Sequence, residues 1–152
     1  MPKPSPVDFS TAMLEVLRNA YRGDAQTSIV EHDLSSPLPE LGKFDAVVSS
    51  FANHHVSHDR KRSLYREIFG LLNPGGGMFL NLEHVASPTA RLHEGFLMQL
   101  DLTPETEDPS NKLLDLELQL GWLREIGFID VDCHWKWREL ALIAGAKPER
   151  TA

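Results

Sequence analysis

Three histidines and an aspartate lie within the seven residues NHHVSHD, at positions 53–59. Imidazole and carboxylate groups are ligands of zinc and iron, so this segment raises the hypothesis of a metal-dependent enzyme that uses residues 54–59. Two features weigh against it. His54 and His55 are adjacent and point apart in an extended chain, and the H-E-x-x-H spacing of helical zinc sites is absent. The alternative interpretation is a loop that leads into a helix.

The glycine run in LLNPGGGMFLNLE is a second candidate for chemistry, this time for phosphate binding. Glycines that cradle a phosphate stand between a strand and the N-terminus of the helix that follows it. Here the order is reversed, because a helical pattern precedes the glycines and a strand pattern follows them. The run therefore predicts a helix end and a tight turn.

The elements that must position these residues are visible in the periodicity of apolar residues. Ser10 and Ser110 are suitable helix N-caps, and Gly23 and Gly127 are suitable helix ends. The last two strand patterns are separated by a short turn near Lys136 and predict an antiparallel hairpin. Helices are predicted over 11–22, 58–72, 89–100 and 111–126, and strands over 28–33, 44–51, 78–85 and the segments FIDVDCHW and ELALIAGA.

Strands that alternate with helices predict an α/β protein with a three-layer, doubly wound and mostly parallel sheet. The near-continuous apolar run 44–51 is typical of a strand covered on both faces. The C-terminal antiparallel hairpin completes the sheet. With 152 residues the chain is predicted to be a single domain, and residues 1–7, which contain three prolines, to be an irregular arm.

The composition excludes several classes of function. The net charge of -7 argues against a nucleic-acid surface, which needs a basic stripe. The single cysteine, Cys133, permits no internal disulfide and fits a reducing compartment. No apolar run reaches the roughly 18 residues of a membrane span, and the N-terminal residues lack the apolar segment of a secretory signal. We therefore expect a cytoplasmic protein with neither a nucleic-acid nor a membrane partner.

In the order and spacing of its motifs, the chain resembles the class I S-adenosylmethionine-dependent methyltransferases. The matching segments are VDFSTAML, EHDL, FDAVVSSFANHHV, LLNPGGGMFLNLE and LGWLREIGFIDVDCHWKWRELALIAGAKP, which together cover nearly all of residues 7–148. The resemblance implies a Rossmann-like sheet with strands in the order 3-2-1-4-5-7-6. It also implies S-adenosylmethionine as the cofactor. The implied reaction is in-line transfer of a methyl group to a small-molecule acceptor, driven by proximity and orientation.

The resemblance assigns cofactor contacts to acids at the ends of two strands. Asp8 would accept hydrogen bonds from the ribose hydroxyls, because a carboxylate offers two acceptor oxygens to neighbouring donors. Asp33 would meet the adenine amine, and Leu34 would pack on the ring. The structural alternatives are a helix-entry acid for Asp8 and a loop acid for Asp33. Further cofactor contacts, or plain strand-end packing, are expected where the fourth strand ends and the crevice opens, at Ser49, Ser50 and Phe51.

The resemblance places the histidine-rich segment beside the methyl donor. Asn53, His54 and His55 are therefore candidates for contact with the methyl acceptor. His55 is the candidate catalytic base, because the unperturbed pKa of imidazole lies near neutrality. Glu83 and His84 end the following strand and are candidates for the rim of the substrate crevice, with ordinary strand-end polar residues as the alternative. We assign no metal ligand from the sequence.

One element of the family has no counterpart in this sequence. The family carries a first strand followed by a G-x-G-x-G turn, whose glycines let the backbone approach the methionine part of the cofactor. The glycines before residue 70 are Gly23 and Gly42, and neither follows a strand pattern. We therefore expect a truncated fold in which Asp8 has lost its strand, since the prolines before it supply no ladder donors. We also expect weak or undetectable cofactor binding by this chain alone.

A sheet without its two central strands would expose the apolar edge of strand 44–50, which is a hazard for unwanted pairing. Either strand 28–33 lies beside that edge, or a second copy of the chain pairs with it as a homodimer. Three functions remain open at this stage. They are an impaired methyltransferase, a non-catalytic truncated remnant that folds and dimerises, and the metal-dependent enzyme.

Overall fold

The computed structural model describes residues 3–149, which fall into two compact units that meet between Leu41 and Gly42 in the sequence. The first unit contains β1 (Val7–Asp8), α1 (Thr11–Ala20) and β2 (Val30–Glu31). The second contains β3 (Ala46–Ser50), a short 3₁₀ helix (Asn53–His55), α2 (His58–Leu71), β4 (Met78–His84), α3 (Ala90–Gln99), α4 (Leu116–Ile126), β5 (Ile129–Trp137) and β6 (Leu140–Ala146). No helix in the described part of the chain is long and apolar enough to span a membrane.

The first unit is built on a short parallel ladder between β1 and β2. The prediction that Asp8 has no strand is therefore wrong. Pro4 and Pro6 lack N–H donors, but their carbonyl groups accept hydrogen bonds from Ser28 at 3.2 Å and Val30 at 2.9 Å. The predicted irregular arm thus takes part in pairing as an acceptor, and its first two residues lie outside the described residues.

The second unit is built on a four-stranded sheet in the order β3-β4-β6-β5. This is the order that the resemblance implies for strands four, five, seven and six. β3 and β4 are parallel, whereas β6 runs antiparallel to both β4 and β5. The four-stranded sheet is thus mixed instead of mostly parallel, because the hairpin returns β6 between β4 and β5.

One face of this sheet carries the core. Phe79 of β4 is fully buried, with its ring 5.5 Å from that of Tyr65 on α2 and 6.1 Å from that of Phe128. Leu123 of α4 and Ile143 of β6 are also fully buried. Burial of each such side chain contributes about 1.5–3 kcal/mol, so these contacts fix α2 and α4 against the sheet.

β3 lies at the edge of the four-stranded sheet, and its alternate residues are exposed. Val48 is 73% exposed, so the prediction of a strand covered on both faces is wrong. The apolar run does not distinguish an edge strand from a central one, because its composition is the same in both. β2 forms its ladder with β1 in the first unit.

α4 begins later than the sequence predicts. The predicted N-cap was Ser110, but the observed cap is Asp115, whose side chain accepts a hydrogen bond from the Leu118 N–H at 2.9 Å. The preceding residues are held out of the helix by tertiary contacts. The Lys112 N–H donates to the carbonyl of His54 at 2.6 Å, a partner 58 residues away in the sequence that local propensity does not reveal.

The terminal hairpin is confirmed, with its turn at Arg138 and Glu139 instead of near Lys136. Arg138 has a φ of 51°, in the left-handed region that non-glycine residues seldom adopt. The turn carries the side chain of Glu139 to the end of β4, where it is fully buried.

We expect Asp115→Ala to lower the free energy of unfolding by about 0.5–2 kcal/mol, because the first turn of α4 loses its cap. Ser110→Ala is the matched control, since Ser110 does not cap the helix. Chemical denaturation followed by circular dichroism measures both variants. Equal losses in the two variants, or a larger loss in Ser110→Ala, would contradict the assignment of the cap.

Candidate functional site

The carboxyl ends of β3 and β4 lie side by side because the two strands are parallel neighbours. Ser50 pairs with Leu82, and the N–H of Phe51 donates to the carbonyl of Leu82 at 2.9 Å. The segments that leave the two strands therefore meet at one edge of the sheet, which is the location of ligand crevices in such folds. The structure brings together there the predicted residues of the second unit, namely Ser49, Ser50, Phe51, Asn53, His54, His55, Glu83 and His84.

Asn53, His54 and Glu83 form the buried floor of this edge. Asn53 donates from Nδ2 to Oδ1 of Asn81 at 3.2 Å. The His54 Nδ1 lies 3.4 Å from Oε1 of Glu83, and the His54 ring centroid is 5.5 Å from that of His84. By contrast, Phe51 and His55 are exposed. The carboxyl ends of β3 and β4 thus combine buried, paired polar side chains with the solvent-exposed rings of Phe51 and His55.

Lys61 of α2 compensates the charge of Glu83 inside the protein. Both side chains are fully buried, and Lys61 Nζ lies 3.5 Å from Oε2 of Glu83. Burial lowers the pKa of Lys61, and the Glu83 carboxylate opposes that shift. The charged side chain of Lys61 therefore lies on the inner face of α2. Its spacing of three and four residues from Leu64 and Tyr65 is the signal that places it on the inner face.

A chain of hydrogen bonds extends this polar interior to α4. Tyr65 donates from its hydroxyl to Oε1 of Gln119 at 2.6 Å and accepts from Asn81 Nδ2 at 3.3 Å. Gln119 donates in turn to the carbonyl of Leu114 at 3.1 Å. Burial raises the pKa of Tyr65 well above its usual value, so the phenol stays neutral and acts as a donor. These bonds tie the two helices to β4 directly beneath the edge.

Glu139 is the centre of a second polar cluster that the sequence analysis missed. His84 Nε2 lies 2.8 Å from Oε2 of Glu139, His93 Nδ1 lies 2.8 Å from Oε1, and Ser87 Oγ donates to Oε1 at 2.5 Å. The second ring nitrogen of His93 lies 3.0 Å from Oε2 of Glu107. Hydrogen bonding to Glu139 is the main cause that raises the pKa of His93. Because the partners of Glu139 are 46 to 55 residues away from it, no local motif signals this cluster.

His55 lies beside this arrangement with an ordered partner of its own. Its Nδ1 is 2.9 Å from Oγ of Ser110, and its ring centroid is 3.9 Å from that of His54. The pKa of His55 is lowered below its usual value of 6.5. Partial burial is the main cause, and the charge of the neighbouring His54 is the second. At neutral pH the imidazole is therefore in the neutral form that a proton acceptor requires.

Of the predicted acids of the first unit, Asp8 is the last residue of β1 and Asp33 lies two residues after the end of β2. Asp8 accepts the Ser10 N–H at 2.8 Å through Oδ1, and Asp33 accepts the Ser35 N–H at 2.8 Å through Oδ1. The backbone bond from Ser35 is the main cause that lowers the pKa of Asp33, so this carboxylate is ionised. Leu34 is half-buried next to it. The oxygens of both side chains have further lone pairs, which fit the hydroxyl and amine donors of a nucleoside.

The hydroxyl group of Ser49 is a buried polar group at the end of β3. Its Oγ is buried and has no hydrogen-bond partner among residues 3–149. Buried hydroxyl groups are normally paired, so this atom points to a group or a solvent molecule at the end of β3. Ser50 and Phe51 follow it and are exposed.

The metal hypothesis has no geometric support in the described part of the chain. No group of three histidine, cysteine, aspartate or glutamate side chains within residues 3–149 is placed to hold a metal ion. The histidines of the 54–59 segment have other contacts, since His58 Nε2 lies 3.1 Å from the carbonyl of Leu113 and His55 pairs with Ser110.

Comparison with known proteins shows similarity to methyltransferases. Residues 5–76 match the model of a family described as a methyltransferase domain, whereas none of the curated proteins matches the chain. Among solved structures, an O-methyltransferase family protein from Burkholderia thailandensis is 18% identical with a TM-score of 0.72, over 97% of this chain and 44% of that one. The S-adenosylmethionine-dependent methyltransferase SibL is 20% identical with a TM-score of 0.67, over 95% and 43%. Human N-acetylserotonin methyltransferase in complex with S-adenosylmethionine is 19% identical with a TM-score of 0.61, over 95% and 40%.

The chain is thus similar to a methyltransferase domain over residues 5–76, and it has the α/β fold of the methyltransferase structures. The chain spans less than half the length of each of the three structures.

The raised pKa of His93 predicts a pH-dependent contribution to stability. A histidine whose pKa is raised on folding stabilises the protein fully below its unfolded value of about 6.5, and the contribution is lost as the pH rises through the folded value. We expect the difference in free energy of unfolding between the wild type and His93→Gln to be largest below that value and to shrink above it. His134→Gln, at an exposed position of β5, is the control. Urea denaturation over this pH range measures the effect, and a difference independent of pH would contradict it.

Proposed function

We propose that this chain acts in S-adenosylmethionine-dependent transfer of a methyl group to a small-molecule acceptor. The observation that carries the proposal is the meeting of the predicted acceptor-side residues at the carboxyl ends of β3 and β4, with the neutral imidazole of His55 exposed beside them. The methyltransferase family match and the likeness to methyltransferase structures support the same activity. The identity of the acceptor does not follow from either.

The cofactor-holding role is proposed for two sets of residues. Asp8 would accept hydrogen bonds from the ribose hydroxyls, and Asp33, with Leu34 beside it, would hold the adenine. Ser49, with its unpaired hydroxyl, and the following Ser50 and Phe51 would hold the cofactor where β3 ends. The bound cofactor supplies an electrophilic methyl group on a sulfonium. The exposed ring of Phe51 and the buried ring of His54 would shield that end of the strand from water, which favours transfer to the acceptor over hydrolysis.

His55 is proposed as the base that removes a proton from the acceptor. In the tautomer that donates Nδ1–H to Ser110 Oγ, the Nε2 lone pair is left to take the proton. When the acceptor heteroatom bonds to the methyl carbon, the carbon–sulfur bond of the cofactor would break and S-adenosylhomocysteine would leave. The proton released by the acceptor heteroatom would move to Nε2 of His55. Since the lowered pKa keeps His55 neutral, the base is ready at neutral pH. The proposed acceptor is therefore a small molecule with an ionisable O–H or N–H group.

We expect His55→Ala to lower kcat by about 10²–10⁴-fold with a smaller change in KM, because general-base catalysis contributes that much. The assay follows S-adenosylhomocysteine formation at millimolar S-adenosylmethionine, with a panel of catechols, hydroxybenzoic acids and aromatic amines. A high cofactor concentration is needed, because we propose that cofactor binding is weak without a glycine-rich turn, and titration calorimetry checks this directly. His134→Gln is the control and should retain full activity. Full turnover by His55→Ala would exclude the role of His55, and lack of turnover by the wild type with every acceptor would count against the function.

The second candidate is a non-catalytic protein that folds and forms a homodimer through the edge of β3. The observation that favours it is the 73% exposure of Val48 on an edge strand, since exposed apolar edges pair with other chains. Sedimentation equilibrium should then show a dimer that Val48→Lys converts to a monomer, with Val16→Lys, an exposed apolar position on α1, as the control. A monomeric wild type would remove this candidate.

A further inference from the structure

We propose that Glu139 is a positioning residue that fixes His84 in a single tautomer, so that His84 recognises an O–H or N–H group of the methyl acceptor. The recognition part rests on the proposed function, because it needs an acceptor at the carboxyl end of β4. The positioning part rests on the described contacts alone. It concerns a hairpin-turn residue that lies 55 positions away from the histidine it would control.

The Glu139 carboxylate is completely buried, and both of its oxygens are occupied. Oε2 pairs with His84, and Oε1 pairs with Ser87 and His93. The backbone is held as well, since the carbonyl of Glu139 accepts from the Val85 N–H at 2.7 Å. Burying a carboxylate costs much free energy unless donors such as these pair with it. The hairpin turn, β4 and α3 are therefore held together by their contacts with Glu139.

The charge of this cluster determines which proton His84 carries. His93 lies between Glu139 and Glu107, and both carboxylates raise its pKa, so it donates from both ring nitrogens. Ser87, His93 and His84 thus converge on the two oxygens of Glu139. This is the arrangement of a carboxylate, which only accepts hydrogen bonds. It follows that Nε2 of His84 carries the proton and that Nδ1 carries a lone pair.

The lone pair on Nδ1 of His84 is available to accept a hydrogen bond from the methyl-acceptor molecule. Nδ1 of His84 has no hydrogen-bond partner among residues 3–149, and the side chain is 13% exposed. The ring is held on both sides, 5.5 Å from the centroid of His54 and 5.4 Å from that of Phe96. A fixed acceptor atom of this kind favours ligands that present a donor and rejects analogues that lack one, since its lone pair would stay unpaired.

The positioning claim is tested by NMR on the full chain labelled with ¹⁵N at histidine. Long-range ¹⁵N–¹H correlations at neutral pH should show His84 in the Nε2–H tautomer in the wild type. In Glu139→Gln the amide can itself donate, so we expect the Nδ1–H tautomer of His84 to become populated. Glu107→Gln is the matched control, because it removes the other carboxylate of His93 and leaves the His84 contact in place.

The wild-type spectrum decides the claim even where Glu139→Gln does not fold. An Nδ1–H tautomer of His84 in the wild type would overturn the proposal. So would an unchanged tautomer in a folded Glu139→Gln protein. A change of equal size in Glu107→Gln would overturn the specific role of Glu139.

The recognition claim is tested by comparing the turnover of pairs of methyl acceptors. In each pair, a catechol or an aminophenol is compared with the analogue that lacks the O–H or N–H group next to the methylated one. We expect the wild type to turn over the donor-bearing member of each pair faster than its analogue. In Glu139→Gln, the ratio of the two rates should fall about tenfold. Turnover with an unchanged preference would overturn recognition by His84 while leaving the methyltransferase function intact. The expected tautomers without any turnover would count against the proposed function while leaving the positioning role intact.

Discussion

The burial of two carboxylates at the end of one strand is the constraint on which the candidate site depends. Glu83 and Glu139 are both fully buried, and a buried carboxylate without partners costs several kcal/mol. Each therefore requires donors from other elements. Lys61 from α2 satisfies part of the requirement of Glu83, and His93 from α3 satisfies part of that of Glu139. The need to pair these charges fixes the positions of both helices relative to β4.

The alternation of side chains along β4 separates the two charge clusters. Successive residues of a strand point to opposite faces, so Glu83 faces the interior beneath α2 while His84 faces the other side. On the inner side, Lys61 and the Tyr65 hydroxyl network tie the sheet to α2 and α4. On the other side, Glu139 and its histidines tie the hairpin turn to the end of the strand. The edge between the clusters is thereby rigid, and a rigid edge is what a positioned base and a positioned acceptor atom require.

The predictable parts of this protein are those that depend on neighbours in the sequence. The spacing of apolar residues gave α2, β4 and the hairpin, because amphipathic periodicity needs only the local chain and one buried face. Gly127 ended α4 as expected, with the positive φ that glycine adopts most easily. The gathering of Asn53, His54, Glu83 and His84 was also predictable, since the carboxyl ends of adjacent parallel strands share one edge.

The sequence by itself determined the α/β class, the elements of the second unit and the edge at which its polar residues meet. Only the tertiary structure decided which of these residues are paired. The start of α4 depends on a bond from Lys112 to the distant His54, and the strand at Asp8 depends on proline carbonyls as acceptors. The cluster of Glu139 joins residues as far as 55 positions apart. Buried charges are satisfied by whichever donors the fold brings near, and that choice is not encoded in any local pattern.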